Sequence, residues 1–114
     1  MITDHNEQTG KKLITKGHHK IHVHIESIVY IQCHGGLATI FLNDGKKVYE
    51  IKTLKAFEES LCSMGFMRIC RNTLINGKYV TKVDTNKGNR IVYLGDIELG
   101  ISKRQLKDLR GRLF

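Results

Sequence analysis

The chain has no proline, and its 114 residues include only three cysteines and eight aromatics, four tyrosines and four phenylalanines. Without proline, no residue lacks the backbone N–H that a sheet ladder needs, so a compact sheet structure meets no obstacle. Cys33, Cys62 and Cys70 are odd in number, widely spaced, set among apolar neighbours and without a Cys-x-x-Cys pair. That pattern argues against a redox motif and for reduced, mostly buried thiols. No apolar run approaches the ~18 residues of a membrane span, and residues 1–10 lack the apolar core of a signal peptide. The expectation is a soluble, cytoplasmic protein with no membrane partner. There is no Gly-rich phosphate loop, no nucleophile elbow and no obvious pair of carboxylates, so neither an enzyme nor a cofactor is expected.

Acidic residues are also scarce. Eleven Asp and Glu face nineteen Lys and Arg, giving a formal charge of +8 and favouring an anionic partner. Residues 66–114 carry eleven cations against four anions, and residues 1–65 eight against seven, so the field comes from the C-terminal half. Within that half, Phe66-Met67-Arg68-Ile69-Cys70-Arg71-Asn72-Thr73-Leu74-Ile75-Asn76 sets two arginines and an asparagine among apolar residues. Arginine offers a planar fork of donors to phosphate or guanine, and asparagine can hold an adenine edge through two hydrogen bonds. With Phe66, Ile69, Leu74 and Ile75 as anchors, a rigid sheet would turn Arg71 and Asn72 toward nucleic acid.

The length suits one domain, with residues 1–10 as a flexible tail and 11–114 as the folded unit. Residues 11–16 read as a short strand, and Ile21, Val23 and Ile25 alternate with polar residues as in a half-buried strand. Residues 28–33 read as a central strand covered on both sides. Residues 37–42 follow the turn at His34-Gly35-Gly36, and Asp44-Gly45 closes a hairpin with residues 48–52. Thr53 is placed to cap a helix whose stripe is Leu54, Phe57, Leu61 and Met64, ended by a left-handed Gly65. Turns at Asn76-Gly77, residues 86–89 and Gly95-Asp96 separate strands over 79–84, 90–94 and 97–101. Short strands joined by tight turns around one helix argue for a mainly β, mostly antiparallel fold.

The chain closes on Ser102, with Gln105 three residues later and Leu106, Leu109 and Leu113 at helical spacing, the pattern of a capping box on a short C-terminal helix. Lys103 and Arg104 occupy its first turn. Cations at the positive end of a helix dipole are unfavourable by about 0.3 to 1 kcal/mol, and an anion there relieves them. They form a second candidate contact cluster.

The order and spacing of these motifs resemble the LytTR (LytR/AlgR-type) DNA-binding domain of bacterial transcription regulators. The resemblance rests on the stretch from Phe66 to Asn76 and on Ile97-Glu98-Leu99-Gly100-Ile101-Ser102-Lys103-Arg104. It is supported by Ile28-Val29-Tyr30-Ile31-Gln32, the hairpin at Asp44-Gly45 and the helix led by Leu54, and it covers nearly the whole chain. It implies small, mostly antiparallel sheets with few helices, and loops rather than a recognition helix that enter successive major grooves and bend the duplex. Carried onto this sequence, the DNA-binding residues are His34, Arg71, Asn72 and Lys103, assisted by Arg68 and Arg104. Cys70 and Asn72 stand where the family often has histidine and serine, and Lys103 stands where arginine is frequent. The resemblance also implies double-stranded DNA with paired direct repeats as partner, a homodimer on DNA, and the two-component, response-regulator setting in which a sensory or receiver partner supplies the signal.

Two other readings compete with duplex DNA binding. Basic charge alone does not choose the polymer, but single-strand RNA readers expose aromatic stacking platforms, and the aromatics here sit mostly in apolar runs. His18, His19, His22 and His24 suggest a metal module, yet four imidazoles on a short extended piece converge poorly on one ion. No bound metal is expected.

Overall fold

A computed structural model describes the backbone of residues 12–15 and 21–113 and the side chains of residues 23–113. The tail at 1–10, His18, His19 and the side chain of His22 lie outside the described residues. The strands are β1 (Lys12–Thr15), β2 (Ile21–His24), β3 (Ile28–His34), β4 (Leu37–Leu42), β5 (Lys47–Ile51), β6 (Phe66–Cys70), β7 (Thr73–Asn76), β8 (Lys82–Asp84), β9 (Ile91–Leu94) and β10 (Ile97–Gly100). Among the described residues there are two α-helices, α1 (Leu54–Leu61) and α2 (Lys103–Leu109).

All pairings among the described residues are antiparallel. They form a β1-β2 ribbon, a three-stranded sheet in the order β10-β9-β8 and a five-stranded sheet in the order β5-β4-β3-β7-β6. This is the mainly β architecture expected from the sequence.

Strand β3 is central in pairing and in packing. Ile28 and Ile31 join a core on one face with Ala38, Ile40, Val48, Leu74 and the helix stripe Leu54, Phe57 and Leu61. Val29 joins a second core with Met67, Ile69, Ile75, Val92, Leu94, Ile101 and Leu109. The apolar run was expected to be covered on both sides, and it is. Each large side chain so buried contributes roughly 1.5 to 3 kcal/mol, which outweighs local propensity. The second face is left partly open toward β5, where Leu37, Tyr49 and Ile51 are the exposed large apolar residues among those described.

Helix α1 forms as its stripe predicts. Thr53 Oγ1 accepts from Ala56 N at 3.1 Å, and Gly65 takes a φ of +88°. The helix is shorter than its apolar spacing suggested, because residues 62–64 tighten into a 3₁₀ turn before Gly65. A second 3₁₀ turn takes Ile25, and a third takes Tyr79 from the strand expected over 79–84. In the third, Asn76 Oδ1 accepts from Lys78 N, a local bond that competes with extended backbone.

The thiols depart from expectation. Cys62 is exposed, and Cys33 and Cys70 are only half-buried. Cys62 follows α1 on its solvent side, where apolar neighbours in sequence do not translate into apolar neighbours in space.

Candidate nucleic-acid interface

Two hairpin turns lie at the same end of the five-stranded sheet. Gly35 and Gly36 connect β3 to β4 with φ values of +59° and +86°, a backbone that side-chain-bearing residues rarely adopt. Arg71 and Asn72 connect β6 to β7 without positive φ, after a register shift between Arg68 and Cys70. Because β3 pairs with β7, the turns are neighbours, and Cys33 N donates to Asn72 O at 2.9 Å.

Side chains brace the second turn. Arg68 Nη2 donates to Arg71 O at 3.0 Å, while Arg68 Nη1 lies 3.4 Å from Glu58 Oε1 on α1. Both carbonyls of the turn therefore have partners. The carboxamide oxygen of Asn72 accepts from Cys70 Sγ at 3.1 Å and from Thr73 Oγ1 at 3.0 Å, and Thr73 Oγ1 in turn accepts from Gln32 Nε2 at 3.4 Å. In this geometry a two-bond adenine contact by Asn72 requires its oxygen to be released from these two donors. Burial pushes the Cys33 thiol up, partly offset by the charge of Arg68.

His34, Arg68, Arg71 and Asn72 line one open concavity of about 490 Å³ together with Lys55. His34 and Arg71 are exposed, while Asn72 and Arg68 are half-buried. Lys55 was not singled out from the sequence. The signal was available, since it occupies the first turn of a helix that has no acidic residue there, the same feature that drew attention to Lys103.

Lys103 and Arg104 are exposed in the first turn of α2 and do not line the concavity. Their helix is fastened to the same sheet, because Ser102 N donates to Ile69 O at 2.8 Å, on the strand leading into the Arg71–Asn72 turn. That bond changes the expected capping box. Ser102 Oγ accepts from Gln105 N at 3.1 Å as anticipated, but the Ser102 N–H that Gln105 would have satisfied is given to β6. Arg90 holds the same junction through reciprocal bonds, Ile101 N to Arg90 O and Arg90 Nε to Ile101 O, both 2.9 Å.

Comparison with known proteins bears on the family and the fold. The family model of the LytTr DNA-binding domain matches residues 18–114. Among solved structures, the LytTr DNA-binding domain of a methyl-accepting/DNA response regulator from Bacillus cereus superposes with a TM-score of 0.77 at 15% identity, covering 90% of this chain and 96% of that one. That identity is low enough that the superposition speaks for the fold alone. No curated protein matches. With the family model spanning most of the sequence, including both turns and α2, the chain belongs to the LytTR family of DNA-binding domains.

Proposed function

We propose that this chain binds double-stranded DNA sequence-specifically in transcription regulation, with residues 11–114 acting as one cytoplasmic DNA-binding unit behind the tail at 1–10. His34, Arg71, Asn72 and Lys103 enter successive major grooves along one side of a duplex that is bent in the process, and Arg68 and Arg104 assist. The site comprises paired direct repeats, occupied by two copies, with a separate sensory or receiver partner supplying the signal. The observation that carries this reading is the meeting of His34, Arg68, Arg71 and Asn72 around one concavity, next to the helix that bears Lys103. Exposed cations on a chain of net charge +8 supply the sequence-independent part of the affinity, and Arg71 supplies a fork suited to guanine.

Duplex is favoured over single strands because, among the described aromatic residues, only Tyr49 is exposed, and a lone ring makes no stacking platform for successive bases. Tyr30 and Phe41 stack on each other with centroids 4.1 Å apart, and Lys47 sits over Phe41, so these ring faces are already engaged. The test is selection of bound duplexes from a random library, followed by competition with single-stranded RNA. A recovered direct repeat is the expected result. Recovery of unrelated sequences, or displacement by RNA at equal concentration, would overturn the reading.

A further inference from the structure

Arg68 is an odd residue for its place. It sits in β6 between two buried apolar residues, Met67 and Ile69, and its side chain is 26% exposed. Its Nε is buried without a hydrogen-bond partner, a desolvated donor that an apolar residue would not carry. Each terminal nitrogen spends one of its two N–H groups, one on the Arg71 carbonyl and one toward Glu58. The guanidinium is thereby oriented by the turn and by α1.

The turn that Arg68 grips needs a brace. Two-residue hairpin loops are usually built from residues at positive φ, whose twist matches that of the flanking strands. Arg71 and Asn72 have no positive φ, so the backbone geometry is not set by glycine, and contacts from outside the turn must hold it. Only two reach its carbonyls among the described residues, Cys33 N on the Asn72 side and Arg68 on the Arg71 side. Arg68 is itself steadied from α1 by Glu58. The planar guanidinium suits this task, because one nitrogen can face the helix while another faces the turn, and a lysine ammonium lacks that fork.

We infer that Arg68 is a positioning residue: anchored to α1 through Glu58, it fixes the backbone of the Arg71–Asn72 turn so that Arg71 is presented to DNA, and it makes no DNA contact itself. The inference rests on the DNA-binding reading for its consequence, but the brace exists in the free protein and is measurable there.

The experiment combines backbone amide exchange of the free protein with anisotropy titrations on a selected duplex and a scrambled one across a range of salt. The variants are Arg68→Gln, Arg68→Lys and Glu58→Gln. In the free protein, Arg68→Gln and Arg68→Lys speed exchange at the Cys33 amide roughly tenfold, leaving the β4 amides unchanged, and Glu58→Gln does the same to a smaller extent. On the selected duplex, both Arg68 variants lose roughly tenfold to a hundredfold in affinity. The slope of log affinity against log salt is unchanged, and the scrambled duplex is barely affected.

Three results would overturn the inference. One is a salt slope lowered by about one phosphate contact in Arg68→Gln with Cys33 exchange unaltered. Another is tighter binding by Glu58→Gln, expected if a carboxylate were merely repelling DNA beside a contact arginine. The third is full rescue by Arg68→Lys, which would leave only charge as the requirement. If Arg68→Gln fails to fold, Arg68→Lys and Glu58→Gln still decide the question. Absence of duplex binding by the parent chain would sink the DNA-binding reading, while the exchange data would still decide whether Arg68 holds the turn.

Discussion

The two neighbouring turns at one end of the five-stranded sheet are shaped by opposite means. The β3–β4 turn is shaped by Gly35 and Gly36 at φ +59° and +86°, and beside it only His34 offers a polar side chain. The β6–β7 turn uses ordinary φ values and is held by Arg68, Cys33, Cys70 and Thr73. A turn that relies on glycine for its shape gives up side chains at its tip. A turn braced by neighbours keeps the tip for arginine and asparagine, at the cost of depending on those neighbours.

Breaking the contrast at its most exposed point gives the largest expected effect. Arg71→Ala should cost about 1 to 3 kcal/mol of affinity on a selected duplex and little on a scrambled one, measured by anisotropy. Equal losses on both duplexes would mean that Arg71 only contacts the backbone. Gly36→Val should leave the chemistry of Arg71 untouched but destabilise the fold by about 1 to 2 kcal/mol in urea unfolding, because a β-branched residue is forced into the left-handed region. No loss would mean that the first turn can reshape freely.

A smaller effect probes the second turn. Thr73→Val conserves shape at a fully packed position but removes the hydroxyl between Gln32 and Asn72, and should cost about 0.5 to 1.5 kcal/mol in the same unfolding assay. An unchanged midpoint would show that the carboxamide of Asn72 needs no second donor.

The smallest effect extends the comparison to a third turn, which combines both devices. Lys87 adopts φ +53°, and Asp84 braces the loop by accepting from Asn86 N and from Asn89 Nδ2. The Asn86 amide foremost, then Asn89, holds the Asp84 carboxyl below its ordinary value of 3.8. A lowered folded value means that its contribution is complete above pH 3.8 and is lost as pH falls through the folded value. Asp84→Asn should therefore be slightly less stable than the parent at neutral pH, and the gap should close in acid. A gap that widens in acid would contradict the assignment.

Local chemistry made much of this fold legible in the sequence. Asp44-Gly45 marked its hairpin, Thr53 its cap and the Leu54-led stripe its buried face, because each signal is complete within a few residues. The 3₁₀ turns were missed, since three residues are too few to show a periodicity of their own within the longer patterns they interrupt. The site was legible as a set of residue types but not as an arrangement. Nothing in the run from Phe66 to Asn76 indicates that Glu58 reaches Arg68, or that Asn72 turns its oxygen inward. The first depends on how α1 packs against β6 and the second on the exact shape of the β6–β7 turn, neither of which the residue types alone specify.

The place of β3 between β4 and β7 also bears on when the molecule becomes competent. The β3–β4 hairpin closes across two residues, so its turn can form as soon as that stretch of chain exists. The β3–β7 ladder joins residues such as Gln32 and Thr73, 41 apart in sequence, and must absorb the entropy of a long loop before its contacts are gained. The two turns therefore come side by side only when the most non-local pairing of the sheet is complete. Until that ladder forms, each hairpin can close locally but nothing holds the two turns against one another.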